Sequence, residues 1–142
     1  MREILFRGKW TDNSEWIEGY YAIQSNHACF AHELKYTHFI FKDIFLDFNL
    51  GGLQEFEVIP ETIGQYTGMT DKNDKQIFEG DIIKADNGHI GFVTFHNGSF
   101  VKCCFCHTGS INDIYGDNET VIGNKHDNPE LLKSGEYIDK IQ

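Results

Sequence analysis

Residues 65–84, QYTGMTDKNDKQIFEGDIIK, decide how the chain folds. An apolar approach (66–69) leads into a polar tip (70–75), and the chain leaves through a second apolar run (77–83). This order is typical of a strand, a turn and the entry to another strand. The stretch therefore predicts β-structure, and it contains no recognised catalytic constellation.

The composition indicates a core built from aromatic side chains. Hydrophobic residues make up 40% of the 142 residues, with twelve Phe and six Tyr. The fourteen glycines fall between short aromatic or β-branched runs, which favours turns over a flexible linker. The length suits one domain or two small lobes.

The charge of the chain argues against nucleic acid as a partner. At −10, with a pI near 5.0, the chain would repel a phosphate backbone, because attraction to that backbone depends on Lys and Arg. The same charge suits a basic partner or simple solubility. The sequence shows no signal-peptide pattern and no apolar run of membrane-spanning length, so we expect a cytosolic protein with reduced cysteines and no membrane partner.

Alternating patterns predict strands before the central stretch. They are predicted at 4–10, 16–23, 36–41 and 54–59. Within the second strand, alternation predicts a buried side formed by Ile17, Gly19, Tyr21 and Ile23. Residues 24–35 fit either a strand or a single helical turn, and Gly51-Gly52 predicts a break before the fourth strand.

After the central stretch the pattern is a β-meander. Its strands are predicted at 81–86, 89–95, 99–105 and, after a polar loop, 120–122. Asn87-Gly88 and Asn97-Gly98 join the first three, and Asn-Gly pairs favour tight hairpin turns. The arrangement is typical of a Src-homology-3-like barrel. Asn128-Pro129 predicts a C-terminal helix, with Asn as the N-cap and Pro at the first helical position.

Cys103, Cys106 and His107 form a C-x-x-C-H string, the spacing at which c-type haem is attached. Haem attachment occurs in exported proteins, and a zinc site needs a second pair of ligands that the sequence does not offer. In an extended strand, Cys103 and Cys106 would also point to opposite sides. We therefore expect no metal and no cofactor.

The polar tip carries Asp71, Asn73 and Asp74, which resemble the start of a calcium loop. The template requires Gly and Glu where this chain has Gln76 and Ile82. The tip is therefore interpreted as turn chemistry and as a candidate interaction surface.

Trp16 and Tyr20 share the second side of the predicted strand 16–23 with Glu18. If exposed, they would form a binding patch of the kind that protein interfaces favour. Both residues also fit the core of a second lobe, since the chain has many aromatic side chains to bury.

Three separated segments of the chain resemble the YopX protein family, found in phages and prophages of Gram-positive bacteria. They are MREILFRGKWTDNSEWIEGYY (1–21), VIPETIGQYTGMTDKNDKQIFEGDIIK (58–84) and VIGNKHDNPELL (121–132). The chain departs from the family pattern at Asp74, where Gly is usual, and at Lys125, where an apolar residue is usual.

The resemblance implies an all-β protein of two small lobes with a phage or prophage origin, and it implies no particular activity. We expect an N-terminal β lobe at 1–64 and, at 65–142, a Src-homology-3-like barrel lobe with the terminal helix.

For function, we expect a non-enzymatic accessory protein that binds an unidentified host or phage protein in the bacterial cytosol, or that assembles as a homo-oligomer. One alternative is a nucleic-acid-associated β-barrel module. Another is a hydrolase whose site is assembled across strands from histidines and from acids such as Glu55, Glu57 and Glu61.

Overall fold

The computed structural model describes residues 1–26, 35–46, 50–104 and 111–132. Contacts divide the chain into two compact units, Met1–Gln65 and Tyr66–Gln142. The strands are β1 (Phe6–Lys9), β2 (Trp16–Asn26), β3 (Lys35–Leu46), β4 (Leu50–Glu57), β5 (Gly64–Thr70), β6 (Gln76–Phe78), β7 (Asp81–Ala85), β8 (Ile90–His96), β9 (Ser99–Cys104), β10 (Ile111–Asn112) and β11 (Glu119–Asn124). The protein is mainly β, as the sequence predicts.

The first unit is an antiparallel sheet in the order β4-β3-β2-β1. Trp10, just after β1, forms an isolated bridge with Val58, just after β4. One side of the sheet is buried over a core of large apolar side chains, namely Ile17, Ile40, Phe56 and Val58, with Phe6, Trp10 and Ile63 packed against them.

A short 3-10 turn, Pro60–Thr62, ends the ladder after β4. Pro60 lacks the N–H that a further strand pair would need. The Thr62 hydroxyl accepts a hydrogen bond from the Lys9 N–H at 2.8 Å and donates to the Ile59 carbonyl at 2.6 Å. Thr62 thereby fixes the turn against the end of β1.

β5 begins in the first unit, where Gln65 pairs with Phe6 of β1. From Tyr66 onwards it belongs to the second unit and pairs with β6, with Tyr66 opposite Phe78. The predicted strand, polar tip and second strand are therefore all present.

The second unit contains a five-stranded antiparallel sheet in the order β10-β9-β8-β7-β11. In the turn from β8 to β9, Asn97 and Gly98 have φ of 47° and 82°, the positive values that an Asn-Gly hairpin turn needs. The core of this unit is formed by Ile77, Ile83, Val93, Ile114 and Val121, with Met69 and Phe100 packed against it.

The prediction of a Src-homology-3-like barrel is wrong for the described residues, because no closed barrel forms there. β7 pairs with β8 and β11, while β9 pairs with β8 and β10, so β10 and β11 are the two edges. β10 contains two residues, too few to carry a ladder across to β11. The sheet therefore stays open.

The predicted C-terminal helix is also wrong over the described part of the chain, where Pro129–Leu132 forms a single 3-10 turn. The Asn128 side chain does not cap a helix, because its Oδ1 accepts a hydrogen bond from the Asn124 N–H at 3.3 Å. Asn128 thus turns the chain back against β11. The sequence also predicts that this helix stops at Gly135, which lies outside the described residues. In the part of the chain that is described, no helix is both long and apolar enough to cross a membrane.

Two local predictions in the first unit are wrong. β4 runs through Gly51 and Gly52, whose backbones pair with β3 like those of any strand residue. Ile23, predicted to be buried, is 54% exposed, because it lies opposite His38 and beyond the end of the core. Of the ambiguous stretch 24–35, the start belongs to β2 and Lys35 begins β3, whereas 27–34 lies outside the described residues.

Candidate functional site

The outer side of the first unit's sheet carries exposed and half-exposed apolar side chains, which we call the aromatic face. Its members are Trp16, Tyr20 and Ala22 on β2, Phe39 and Phe41 on β3, and Leu53 on β4. Alternate residues of a strand point to the same side, and directly paired residues share it. The register pairs Tyr20 with Phe41 and Ala22 with Phe39, so these side chains are neighbours.

The core of the unit leaves this face uncovered. Tyr20 is 57% exposed and Leu53 is 60% exposed. The rings of Phe39 and Phe41 lie side by side, with centroids 6.4 Å apart. The result is an apolar strip formed by Tyr20 and Ala22 on β2 and by Phe39 and Phe41 on β3, with Leu53 of β4 diagonal to Phe41.

Charged side chains border the strip. Glu55 and Glu57 on β4 are exposed and lie directly opposite Phe41 and Phe39. On the β1 side, the Arg7 guanidinium carbon lies 4.7 Å from the Trp16 ring centroid, and the Lys9 ammonium lies 5.4 Å from it. These are cation–π distances, so Trp16 is packed beneath two cations. The face is therefore acidic along β4 and basic along β1.

Of the site residues predicted from sequence, the structure brings Trp16 and Tyr20 together on this face. Asp71, Asn73 and Asp74 belong to the second unit instead. Sequence reasoning missed Phe39 and Phe41, because alternation alone does not reveal which side of a strand is covered.

Asp71 is a buried structural residue, 4% exposed, rather than an exposed turn residue. Its Oδ1 accepts hydrogen bonds from the N–H groups of Asn73 at 2.8 Å and Lys75 at 3.0 Å. Its Oδ2 accepts the N–H of Val121 on β11 at 2.9 Å. One carboxylate thus closes the 71–75 turn and ties it to a strand fifty residues away. Asn73 and Asp74 are exposed.

The electrostatics of Asp71 follow from these contacts. Burial raises the pKa of this carboxyl group, since it penalises the charged form. The three backbone hydrogen bonds and the nearby Lys75 charge outweigh burial, so the pKa lies below its ordinary value of 3.8. Asp71 is therefore ionised at neutral pH, with its oxygens engaged.

Tyr21 and His38 form a pair on the inner side of the first sheet. The Tyr21 hydroxyl lies 2.6 Å from His38 Nδ1, and the two rings are stacked with centroids 5.9 Å apart. Burial raises the pKa of Tyr21, so the phenol stays protonated at neutral pH. The pair fastens β2 to β3 beyond the core.

The second unit contains a pocket of about 430 Å³. Its lining combines a buried pair, Lys102 and Glu119, with the polar side chains of Asp86 and Asp113 and the ring of Tyr115. The side chains of Lys102 and Glu119 are 7% and 2% exposed and form an ion pair through the Lys102 ammonium and Glu119 Oε1. Glu119 Oε2 also accepts the Tyr115 N–H at 3.0 Å. The sequence offered no local signal for this pair, because only the strand pairing brings β9 and β11 into one sheet.

The cysteines give no metal site in the part of the chain that is described. Cys103 is half-buried and Cys104 is buried, and as strand neighbours they point to opposite sides. Cys106 and His107 lie outside the described residues. Within the described ranges, no three His, Cys, Asp or Glu side chains are grouped as metal ligands.

The fold has a relative among solved structures. The crystal structure of protein EF1440 from Enterococcus faecalis matches with a TM-score of 0.53 and 24% sequence identity, over 93% of this chain and 99% of that chain. Identity at this level supports a shared fold. No curated protein matches the chain significantly.

The sequence resemblance is confirmed over nearly the whole chain. Residues 6–133, which include both units' described strands, match the family described as YopX protein. The chain belongs to the YopX protein family.

Proposed function

We propose that this chain is a non-enzymatic, phage- or prophage-encoded accessory protein that binds a protein partner in the bacterial cytosol through the aromatic face. The observation that carries the proposal is the exposure of that face, above all of Tyr20. Large contiguous apolar patches are uncommon on soluble proteins and mark interaction sites. The family resemblance supports the phage or prophage origin.

The composition of the face favours a protein as the partner. Tyr, Trp and Phe are enriched at protein interfaces, because they supply a large contact area with few rotatable bonds. A nucleic acid is disfavoured, since Glu18, Glu55 and Glu57 would repel phosphates next to the apolar strip.

The border of the face indicates the chemistry of the partner. Along β4 the strip is edged by Glu55 and Glu57, and Glu18 lies between Trp16 and Tyr20 on β2. A complementary surface has an apolar centre with Lys or Arg where these carboxylates lie. Arg7 and Lys9 hold Trp16 in place through their cation–π contacts.

Two tyrosines of similar exposure provide a matched experiment. Tyr20 lies on the aromatic face, while Tyr36 lies on the opposite side of the same sheet, and the two are 57% and 55% exposed. A photo-crosslinking amino acid is introduced at position 20 or at position 36, and partners are captured from a phage-bearing host. The protein that is crosslinked at position 20 is then purified.

Binding of that purified partner is then measured by calorimetry with Tyr20→Ala and Tyr36→Ala. Tyr20→Ala is expected to weaken binding at least about tenfold, as for a central aromatic anchor, and Tyr36→Ala to leave it unchanged. Affinity should also fall as the salt concentration rises, because the bordering charges are screened.

Equal effects of the two substitutions, or no crosslinked protein at position 20, would contradict the proposal. A salt-sensitive gel shift with DNA or RNA would favour the nucleic-acid alternative instead.

A further inference from the structure

The pocket of the second unit lies on the core-facing side of its sheet, where small residues leave room. Gly91 on β8 pairs with Cys104 on β9 and with Ile83 on β7, and Ala85 of β7 pairs with Glu119 on β11. Alternation places Gly91, Ala85, Lys102 and Glu119 on one side. Ala85 lines the pocket with a small side chain, and the absence of a side chain at Gly91 leaves room for the Lys102 stem.

The Lys102–Glu119 ion pair crosses this space. Lys102 is on β9 and Glu119 is on β11, and β8 and β7 lie between them in the sheet. Strands are spaced about 4.8 Å apart, so the pair must reach across both intervening strands. The Lys102 stem passes over Gly91, where an added Cβ would meet Lys102 Cγ at 2.7 Å. The pair is thus laid along one wall of the pocket.

The pair leaves hydrogen-bonding capacity for a ligand. A lysine ammonium has three N–H donors and no acceptor. Among the described residues, Glu119 accepts one of these donors. Lys102 is 5% exposed, so its other donors are in an environment poor in bulk water. Buried donors of this kind are satisfied by a ligand or by water that a ligand can replace.

The charges around the pocket select a neutral ligand. Lys102 is balanced by Glu119, and Asp86 is balanced by Lys72, whose ammonium lies 2.8 Å from Asp86 Oδ1. Asp113 remains as an additional carboxylate in the lining. The local balance is therefore negative, and so is the chain as a whole at −10. A phosphate or carboxylate ligand would be repelled, and a cation would face the Lys102 ammonium.

The side chains of the lining favour hydroxyl groups over a flat heterocycle. Asn87, Asn112 and Asn118 add amide groups to the carboxylates and the ammonium. A hydroxyl both donates and accepts, so it can bond to carboxylates, amides and Lys102 alike. A heterocyclic base would require apolar walls on both of its faces, whereas the rings of the lining are the Tyr115 phenol, 63% exposed, and the polar imidazole of His89, also exposed. The exposed Tyr115 ring suits the apolar face of a sugar.

We propose that this pocket binds a neutral saccharide of about one or two sugar units, a size suited to its volume. Lys102 donates to a sugar hydroxyl, carboxylates of the lining accept from others, and Tyr115 packs against the ring. This binding is separate from the protein contact proposed for the aromatic face.

The test is an NMR titration of the full chain, labelled with ¹⁵N, with glucose, galactose, N-acetylglucosamine and maltose. At least one of these sugars is expected to shift the amide signals of the pocket strands while leaving those of Tyr20 and its neighbours in place. Tyr115→Ala is expected to weaken that binding about three- to tenfold, the range for loss of an aromatic contact. Tyr36→Ala, in the other unit, is the control and should leave it unchanged.

A second variant tests the ion pair directly. Lys102→Met combined with Glu119→Gln removes both charges, shortens the first side chain by one atom and keeps the length of the second, and it is expected to abolish the saturable shifts. If this variant does not fold, Asp113→Ala, at an exposed position, takes its place and should weaken binding.

Four results would overturn the proposal. They are no shift with any of the four sugars, shifts that Tyr115→Ala leaves unchanged, tighter binding of adenosine or uridine than of any sugar, and tighter binding of glucose 6-phosphate than of glucose.

Discussion

At the scale of single residues, Asp71 connects the central turn to the sheet of the second unit. Its carboxylate accepts three backbone N–H groups, from Asn73, Lys75 and Val121. Hydrogen bonds to a charged acceptor are among the stronger ones in proteins, and a buried donor left without a partner is costly. We therefore expect Asp71 to contribute more to stability than any exposed acid of the turn.

Asp71→Asn is expected to lower the free energy of unfolding by about 1–3 kcal/mol, measured by urea denaturation at pH 7. An amide can keep the two bonds to Oδ1, but it places an NH₂ group against the Val121 N–H, so two donors face each other. Asp74→Asn is the matched control. Asp74 is exposed with φ of 62°, which Asn adopts readily, so its substitution should change stability little.

The same substitution should alter the pH dependence. Because the pKa of Asp71 is lowered by folding, its contribution is complete above the ordinary value of 3.8 and is lost as pH falls through the lower folded value. The stability difference between the wild type and Asp71→Asn should therefore be constant at neutral pH and shrink only as the pH falls below the ordinary value of 3.8. A difference that stays constant below that value would contradict the assignment.

Gly91 provides a second prediction at this scale. A Cβ there would lie 2.6 Å from the Cys103 carbonyl oxygen and 2.7 Å from Lys102 Cγ. Gly91→Ala is therefore expected to destabilise the protein by about 1–3 kcal/mol, as overpacking does. Thermal unfolding measures it. Gly88→Ala is a poor control because of its φ of 89°, whereas Gly52→Ala, with open space around it, should have a much smaller effect.

Sequence reasoning could identify the tip as a turn but could not assign its residues. Asp71, Asn73 and Asp74 all have the composition of turns. Only the strand that packs nearby decides which carboxylate is buried, and that strand begins at Glu119. Residues far apart in sequence supply the partner, so no local pattern distinguishes Asp71 from Asp74.

At the scale of elements, the Lys102–Glu119 pair couples β9 to β11. Removing one member of a buried pair leaves the other charge without compensation, which costs about 3–5 kcal/mol, whereas replacing both is far milder. Lys102→Met and Glu119→Gln should each destabilise strongly, while the double variant should recover much of the loss. A double-mutant cycle by denaturant unfolding measures the coupling. Additive effects would show that the two side chains act separately.

Element prediction succeeded where a strand is defined by its own residues. The alternation in 16–23 and the Asn97-Gly98 turn both correspond to observed elements, because side-chain period and turn chemistry are local properties. It failed at Asn128-Pro129, which has the residue types of a helix N-terminus although no helix begins there in the described residues. There the Asn128 side chain bonds back to Asn124 of the preceding strand, and one 3-10 turn results.

At the scale of the whole molecule, the features that the sequence predicted were the fold class and the protein family. Abundant rings, scattered glycines and three motif segments correctly indicated a mainly β member of the YopX family. The barrel was not correctly predicted, because closure depends on whether the last strands meet. A meander of the same sequence pattern can close or stay open, and here β10 is too short to close it.

Metal content is predicted for the chain as a whole. Protein purified without added metal is expected to contain zinc and iron far below one atom per chain, and EDTA should leave the unfolding midpoint unchanged. The reason is that Cys103 and Cys104 point to opposite sides of β9 and that the sequence lacks a second ligand pair. Elemental analysis checks this. A stoichiometric signal abolished by Cys106→Ser would contradict it.

The ion pair that lies over Gly91 also constrains which substitutions this sequence can accumulate during evolution. A lineage in which Lys102 is lost while Glu119 remains carries a buried charge that selection would remove, so the two positions must change nearly together. Position 91 is under a separate restriction, because an added Cβ would meet the Cys103 carbonyl oxygen at 2.6 Å as well as Lys102 Cγ at 2.7 Å. Loss of the lysine alone therefore does not make room for a side chain there. Comparing relatives should show glycine at position 91 even where the lysine and the glutamate have been replaced together.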